Sequence, residues 1–143
     1  MSRGLRMSRA LHEDILAHCR SAYPKEACGL LAGDAAPSAG REGWAVQVYP
    51  MTNVENSPIG YAMEPKEQLL VEKQMRSRNQ RMLGIYHSHT ASEAYPSSVD
   101  VGLAAYPEVS YVLVSLKDRA RPQTKSYRIQ EGTVIPEDLQ VRD

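Results

Sequence analysis

The sequence predicts an α/β fold, one mixed β-sheet packed with helices, in a single domain. Three observations lead there. The 143 residues suit one domain with a real hydrophobic core. Short apolar runs of strand length alternate along the chain with segments of helical periodicity. Apolar residues make up 42% and charged residues 24%, an ordinary globular mix that argues against disorder for most of the chain. The domain is expected to span 1–143, with its core at about 8–130.

Each element has a local reason. Ser8 can cap a helix running to about Tyr23, with Leu11, Ile15, Cys19 and Ala22 at spacings of four, four and three. Pro24 stops it, because the residue before a proline avoids the helical region. Residues 27–32 are apolar and closed by Gly33-Asp34, which predicts a buried strand. A small polar loop follows, and residues 44–49 alternate as that strand's hairpin partner. Asn53 to Pro58 has turn composition, and 59–63 reads as a further short strand. Pro65 sits in the first turn of a second helix, with Glu64 and Glu67 near its positive end. That helix is expected to carry Leu69, Leu70 and Met75 inward and to end near Asn79. Residues 82–87 form the next strand. Ser97 to Asp100 opens a short helix that Pro107 terminates, and 109–116 and 125–129 are strands joined through Lys117-Asp118.

Charge and cysteine content exclude several function classes. Seventeen Lys+Arg balance 17 Asp+Glu, so no net charge favours a nucleic-acid or anionic-membrane partner. Cys19 and Cys28 are too few for a disulfide framework and do not form a CxxC motif, which predicts a reduced, cytoplasmic setting. The opening residues carry two arginines with no apolar stretch behind them, unlike a signal peptide, and no run approaches the ~20 apolar residues of a membrane helix.

Chemistry concentrates between His87 and Asp100. If 83–89 is extended, His87 and His89 point to one face and can share a metal ion. Asp100, on the first turn of the following helix, can add an oxygen ligand. Two histidines and one carboxylate match catalytic rather than structural zinc, with a fourth position left open. Glu26, at the entry to a buried strand, is the best general base on offer, since partial burial raises its pKa. Ser97, three residues before Asp100, can donate to an oxyanion. Plainer alternatives stand beside these: Ser97-x-x-Asp100 also fits a capping box, and Glu26 a solvated helix-end carboxylate. A deaminase-type site would need a Pro-Cys-x-x-Cys segment, and a thermolysin-type site an HExxH helix; neither is present.

The whole pattern, His87-x-His89, seven residues, Ser97, two residues, Asp100, with Glu26 upstream, resembles the signature of the JAMM (MPN-plus) zinc metalloproteases. The run Glu26-Ala-Cys-Gly-Leu-Leu-Ala-Gly33 resembles the family's first strand, and element order agrees from Ser8 to about Ile129. The resemblance implies one Zn2+ per chain on His87, His89 and Asp100, with Glu26 as general base and Ser97 as oxyanion stabiliser. Thr90 stands where many members have proline, and the stretch to Ser97 is similar to a bacterial branch acting on small ubiquitin-like sulfur carriers. Within that branch the resemblance is to the hydrolase of a carrier-protein–cysteine adduct. It implies cleavage after a carrier's C-terminal Gly-Gly, with cysteine, a lysine side chain or a peptide as alternative leaving groups. It permits a monomer or a homodimer, and its alternative is a non-catalytic MPN scaffold or binding module for ubiquitin-like proteins.

Other residues read as structural. His12 and His18 lie six apart on the first helix, which is rim spacing. Cys28 can face the site but suits a buried side chain better. Asn53, Asn56 and Ser57 fit turn chemistry, although the resemblance places their loop beside a substrate groove. The Arg76-Ser-Arg-Asn-Gln-Arg81 cluster suits a solvated helix end, and 111–116 is core.

Overall fold

The computed structural model describes residues 4–55 and 57–143. The elements run β1 (Leu5–Ser8), α1 (Arg9–Ala22), β2 (Cys28–Asp34), β3 (Gln47–Met51), α2 (Pro65–Ser77) and β4 (Gln80–His89). They continue with α3 (Ser98–Leu103), β5 (Ser110–Ser115), β6 (Gln123–Gln130), β7 (Thr133–Glu137) and β8 (Leu139–Arg142). Six strands form the main sheet in the order β3-β2-β4-β5-β6-β7, and β1 and β8 form a separate parallel pair. Within the main sheet only β4–β5 is parallel, so the sheet is mixed as expected.

α1 begins where the sequence places it. The Ser8 hydroxyl accepts from the Leu11 amide at 3.1 Å, and Leu11, Ile15 and Cys19 form the buried stripe. That stripe meets Leu31, Tyr86, Val112 and Val114 on one face of the sheet, with Leu5 and Met7 of β1 closing the cluster. Tyr86 lies flat across β2: a Cβ at Gly29 would stand 2.2 Å from its ring, so only glycine leaves the space. On the opposite face Met75 of α2 packs with Leu30, Tyr49, Ile85 and Tyr111.

Pairing of β2 with β4 contains a bulge. Leu31 opposes Gly84 and Ala32 opposes Met82, so Leu83 is the extra residue. Leu83 therefore joins the α1-side cluster while its neighbours Met82 and Ile85 face α2.

Four expectations need correction. Leu69 and Leu70 are exposed, because α2 lays Val71 and Met75 on the sheet, a stripe one step round the helix. Residues 59–63 form no strand; only an isolated bridge joins Asn53 to Met63. The loop there is fastened by the Asn53 side chain instead of by a ladder. The hairpin partner of β2 is Gln47–Met51, displaced toward the C-terminus from 44–49, since Trp44 bridges to Arg6 beside β1. α3 ends at Leu103 on the Ala104 cap, before Pro107 is reached. The strands β1, β7 and β8 were not anticipated. Residues 111–116 are buried throughout. No helix among the described residues is long and apolar enough to cross a membrane.

Candidate metal centre

The centre forms at the carboxyl end of β4, beside its parallel neighbour β5, where two histidines of β4 meet a carboxylate of α3. β4 sets the phase. Tyr86 and Ser88 point toward α1, and His87 and His89 point to the other face. His87 and His89 are 2% and 5% exposed, and their Nε2 atoms lie 3.3 Å apart. Asp100 enters from the first turn of α3. Its Oδ2 is 3.3 Å from His87 Nε2 and 3.0 Å from His89 Nε2.

These three edges match a metal site. Zinc bonds of about 2.0–2.1 Å in a tetrahedron put neighbouring ligand atoms about 3.3 Å apart. His87, His89 and Asp100 thus form a group that could bind one metal ion and leave a fourth position. His89 Nδ1 is 2.9 Å from the Glu93 carbonyl, so it carries the proton and leaves an Nε2 lone pair for a ligand bond. The loop supplying that carbonyl is held in turn. Ser115 Oγ donates to the Ser92 carbonyl, Tyr127 Oη to the Ala94 carbonyl, and Lys117 Nζ to the Glu93 carboxylate. Thr90, at the position where many JAMM members carry proline, donates to the Pro58 carbonyl and ties this loop to the one before α2.

Electrostatics follow from the same geometry. Burial pulls His87 below the ordinary imidazole value, outweighing its contact with Asp100. Burial also pulls at His89, but its bonds to Asp100 and the Glu93 carbonyl prevail and raise it. Asp100 is partly desolvated, yet the hydrogen bonds from His87, His89 and the Ser97 amide hold its carboxyl well below the carboxylate range. Metal loading therefore has to displace protons.

Glu26 sits in the turn between α1 and β2. Cys28 pairs with His87, and Ala27 and Ser88 exchange two hydrogen bonds, so continuing the register brings Glu26 beside His89. The residue is 5% exposed, and burial pushes its carboxyl up to about 7. The solvated reading of Glu26 is thereby excluded. Ser97 is the N-cap of α3: its Oγ accepts from the Asp100 amide at 3.1 Å, while Asp100 Oδ2 accepts from the Ser97 amide at 2.8 Å. The capping box is real, and among the described residues the Ser97 hydroxyl donates no hydrogen bond of its own.

Other expectations resolve plainly. Cys28 is fully buried among Leu30, Ala32 and Tyr49, its thiol pushed up to about 12 by burial, and it is not one of the clustered ligands. His12 and His18 are half-buried at the rim, hydrogen-bonded to Thr124 and Tyr86. Asn53 and Ser57 make turn bonds to the Glu55 and Ile59 amides, and Asn56 lies outside the described residues. Arg76, Arg78 and Arg81 are exposed, with Arg78 donating to the Tyr49 hydroxyl.

Sequence reasoning missed Tyr61, whose ring stacks on His87 at 4.5 Å between centroids and 29° between planes. One aromatic residue in an irregular loop carries no spacing signal.

The architecture and the site have counterparts among known proteins. The family described as prokaryotic homologs of the JAB domain matches residues 8–130. A CysO-cysteine peptidase from Mycobacterium tuberculosis is 44% identical over 127 residues, covering 89% of this chain and 84% of that protein. A desampylase from Haloferax volcanii is 29% identical over 116 residues, covering 78% and 80%. The solution structure of protein DSY2949 from Desulfitobacterium hafniense superimposes with a TM-score of 0.86 at 39% identity, over 97% of this chain and 93% of that one. With an α/β sheet of this topology and a His-His-Asp group at its edge, the chain belongs to the prokaryotic branch of the JAB family.

Proposed function

We propose that this protein is a zinc-dependent peptidase that cuts after the C-terminal Gly-Gly of a small ubiquitin-like sulfur-carrier protein in the cytoplasm, releasing cysteine. The observation that carries the reading is the trio His87, His89 and Asp100 at tetrahedral-edge spacing beside a buried Glu26. The 44%-identical CysO-cysteine peptidase supports a carrier–cysteine adduct as substrate, and the desampylase supports hydrolase chemistry more broadly.

His87, His89 and Asp100 would hold one zinc ion. When bound, such an ion polarises a carbonyl and makes water a competent nucleophile near neutral pH. Glu26, with a carboxyl near 7, takes the proton of the attacking water and delivers it to the departing amine. The Ser97 hydroxyl donates to the oxyanion that develops on the glycine carbonyl. An extended Gly-Gly tail suits the site because it has no side chains to exclude from a narrow groove.

The test is intact-mass analysis of a Gly-Gly-tailed sulfur carrier extended by cysteine, incubated with zinc-loaded protein. The expected result is loss of the cysteine, abolished by chelator. Glu26→Gln should retain zinc and lower turnover by about 10²–10⁴. Turnover by Glu26→Gln at the wild-type rate would remove Glu26 from the mechanism. An unchanged carrier in the presence of bound zinc would reject this substrate.

A further inference from the structure

The two histidines are oriented by different means. His89 has its ring plane set by the hydrogen bond from Nδ1 to the Glu93 carbonyl. Among the described residues, every polar contact of His87 is made by Nε2, the atom that faces His89 and Asp100. The torsion that turns an imidazole is broad, so polar contacts at one ring nitrogen fix its plane less firmly than a bond at each nitrogen does. Tyr61 occupies the flank of that ring in a stacked arrangement.

Tyr61 is itself held from both sides by one side chain. Asn53 Nδ2 donates to the Gly60 carbonyl at 3.2 Å, and its Oδ1 accepts from the Ala62 amide at 3.0 Å, so the amide group fastens the peptides flanking Tyr61. The same Nδ2 donates to the Glu26 carbonyl at 2.8 Å. The Val54 amide adds a bond to the Ala62 carbonyl. One asparagine thus ties the loop bearing Tyr61 to the backbone of the buried carboxylate.

We infer that Tyr61, anchored by Asn53, is a positioning residue that sets the plane of His87 and thereby the tightness and symmetry of metal binding. The inference rests on the reading of His87, His89 and Asp100 as a zinc site. It requires the flat face of the ring and not the phenol hydroxyl, which separates Tyr61→Phe from Tyr61→Leu.

The experiment measures zinc affinity of the full chain by chelator competition, with the visible absorption of the cobalt(II)-substituted protein and the metal-free Tm alongside. Tyr61→Leu should bind zinc about 10- to 100-fold more weakly, the range typical for groups that orient metal ligands. Its cobalt bands should shift, which a purely structural role would not cause. Tyr61→Phe should restore both readouts to wild-type values. Should Tyr61→Leu fail to fold, Asn53→Ser carries the same test, with a smaller loss of affinity and the same direction of band shift. Wild-type affinity and an unshifted cobalt spectrum in Tyr61→Leu or in Asn53→Ser would overturn the proposal while leaving the zinc site standing. So would a Tyr61→Phe variant as weak as Tyr61→Leu. Wild-type protein binding zinc no better than His87→Ala would instead take down the site reading, and this inference with it.

Discussion

The two faces of the main sheet use polar side chains in opposite ways. On the α1 face the polar side chains of β4 hold backbone or packing: Ser88 accepts from the buried Ala27 amide, and the Tyr86 hydroxyl pairs with His18 at 2.6 Å. On the other face, one residue further along the same strand, His87 and His89 direct Nε2 atoms at each other and at one carboxylate oxygen. Two imidazole nitrogens 3.3 Å apart, both turned to a single carboxylate oxygen, leave three potential ligand atoms converging on one point. β4 thus divides its labour by residue parity, stability on one side and chemistry on the other.

Exchanging neighbours on β4 should break the comparison most sharply. His87→Ala is expected to lose zinc and reduce hydrolysis to background with little change in metal-free Tm. Ser88→Ala should keep zinc affinity while losing about 1–3 kcal/mol in denaturant unfolding, because the Ala27 amide forfeits its side-chain acceptor. Equal loss of activity per folded molecule in both variants would erase the division. A purely steric insult to the α1 face comes next. Gly29→Ala drives a methyl into the Tyr86 ring and should destabilise by about 3 kcal/mol, with turnover per folded molecule retained.

Smaller, and dependent on pH, is the cost of burying Glu26. Its carboxyl rises from 4.5 to about 7 on folding, so its stabilising contribution is complete below the unfolded value and is lost as pH climbs through about 7. Metal-free Glu26→Gln should therefore match wild type in unfolding free energy near pH 4. Near pH 8 it should exceed wild type by about 2 kcal/mol. No difference between the two pH values would mean that the carboxylate is not desolvated. The smallest effect belongs to the exposed side of α2: Leu69→Lys should change unfolding free energy by less than about 0.5 kcal/mol. A larger loss would restore Leu69 to the core.

What could be read in the sequence follows from how local its cause is. Leu11, Ile15 and Cys19 repeat at helical spacing behind Ser8, and α1 appears as expected. The alternation around His87 and the Ser97-x-x-Asp100 cap are likewise written within a few residues, so the clustering of His87, His89 and Asp100 was legible. α2 was misoriented because Leu69, Leu70, Val71 and Met75 allow two adjacent stripes, and only the sheet beneath decides between them. β1 is four residues long and takes its partner from the far end of the chain, with Leu5 opposite Leu139, a pairing no local pattern announces. Residues 59–63 look like a strand because the run is short and mostly apolar, but the Asn53 side chain supplies the bonds a ladder would have made.

The extra residue in β4 has a consequence for how the histidines keep their facing. Leu83 shifts the odd–even count, so the strand before it and the strand after it run on separate clocks. From Gly84 to His89 the pairing with β5 is uninterrupted, Gly84 to Ser110 through His89 to Ser115. The orientation of His87 and His89 is therefore timed from β5 and is insulated from the parity of everything upstream of the bulge. A residue gained or lost between α2 and Leu83 can be absorbed there, whereas the same slip between Gly84 and His87 would turn both imidazoles toward the α1 face of the sheet.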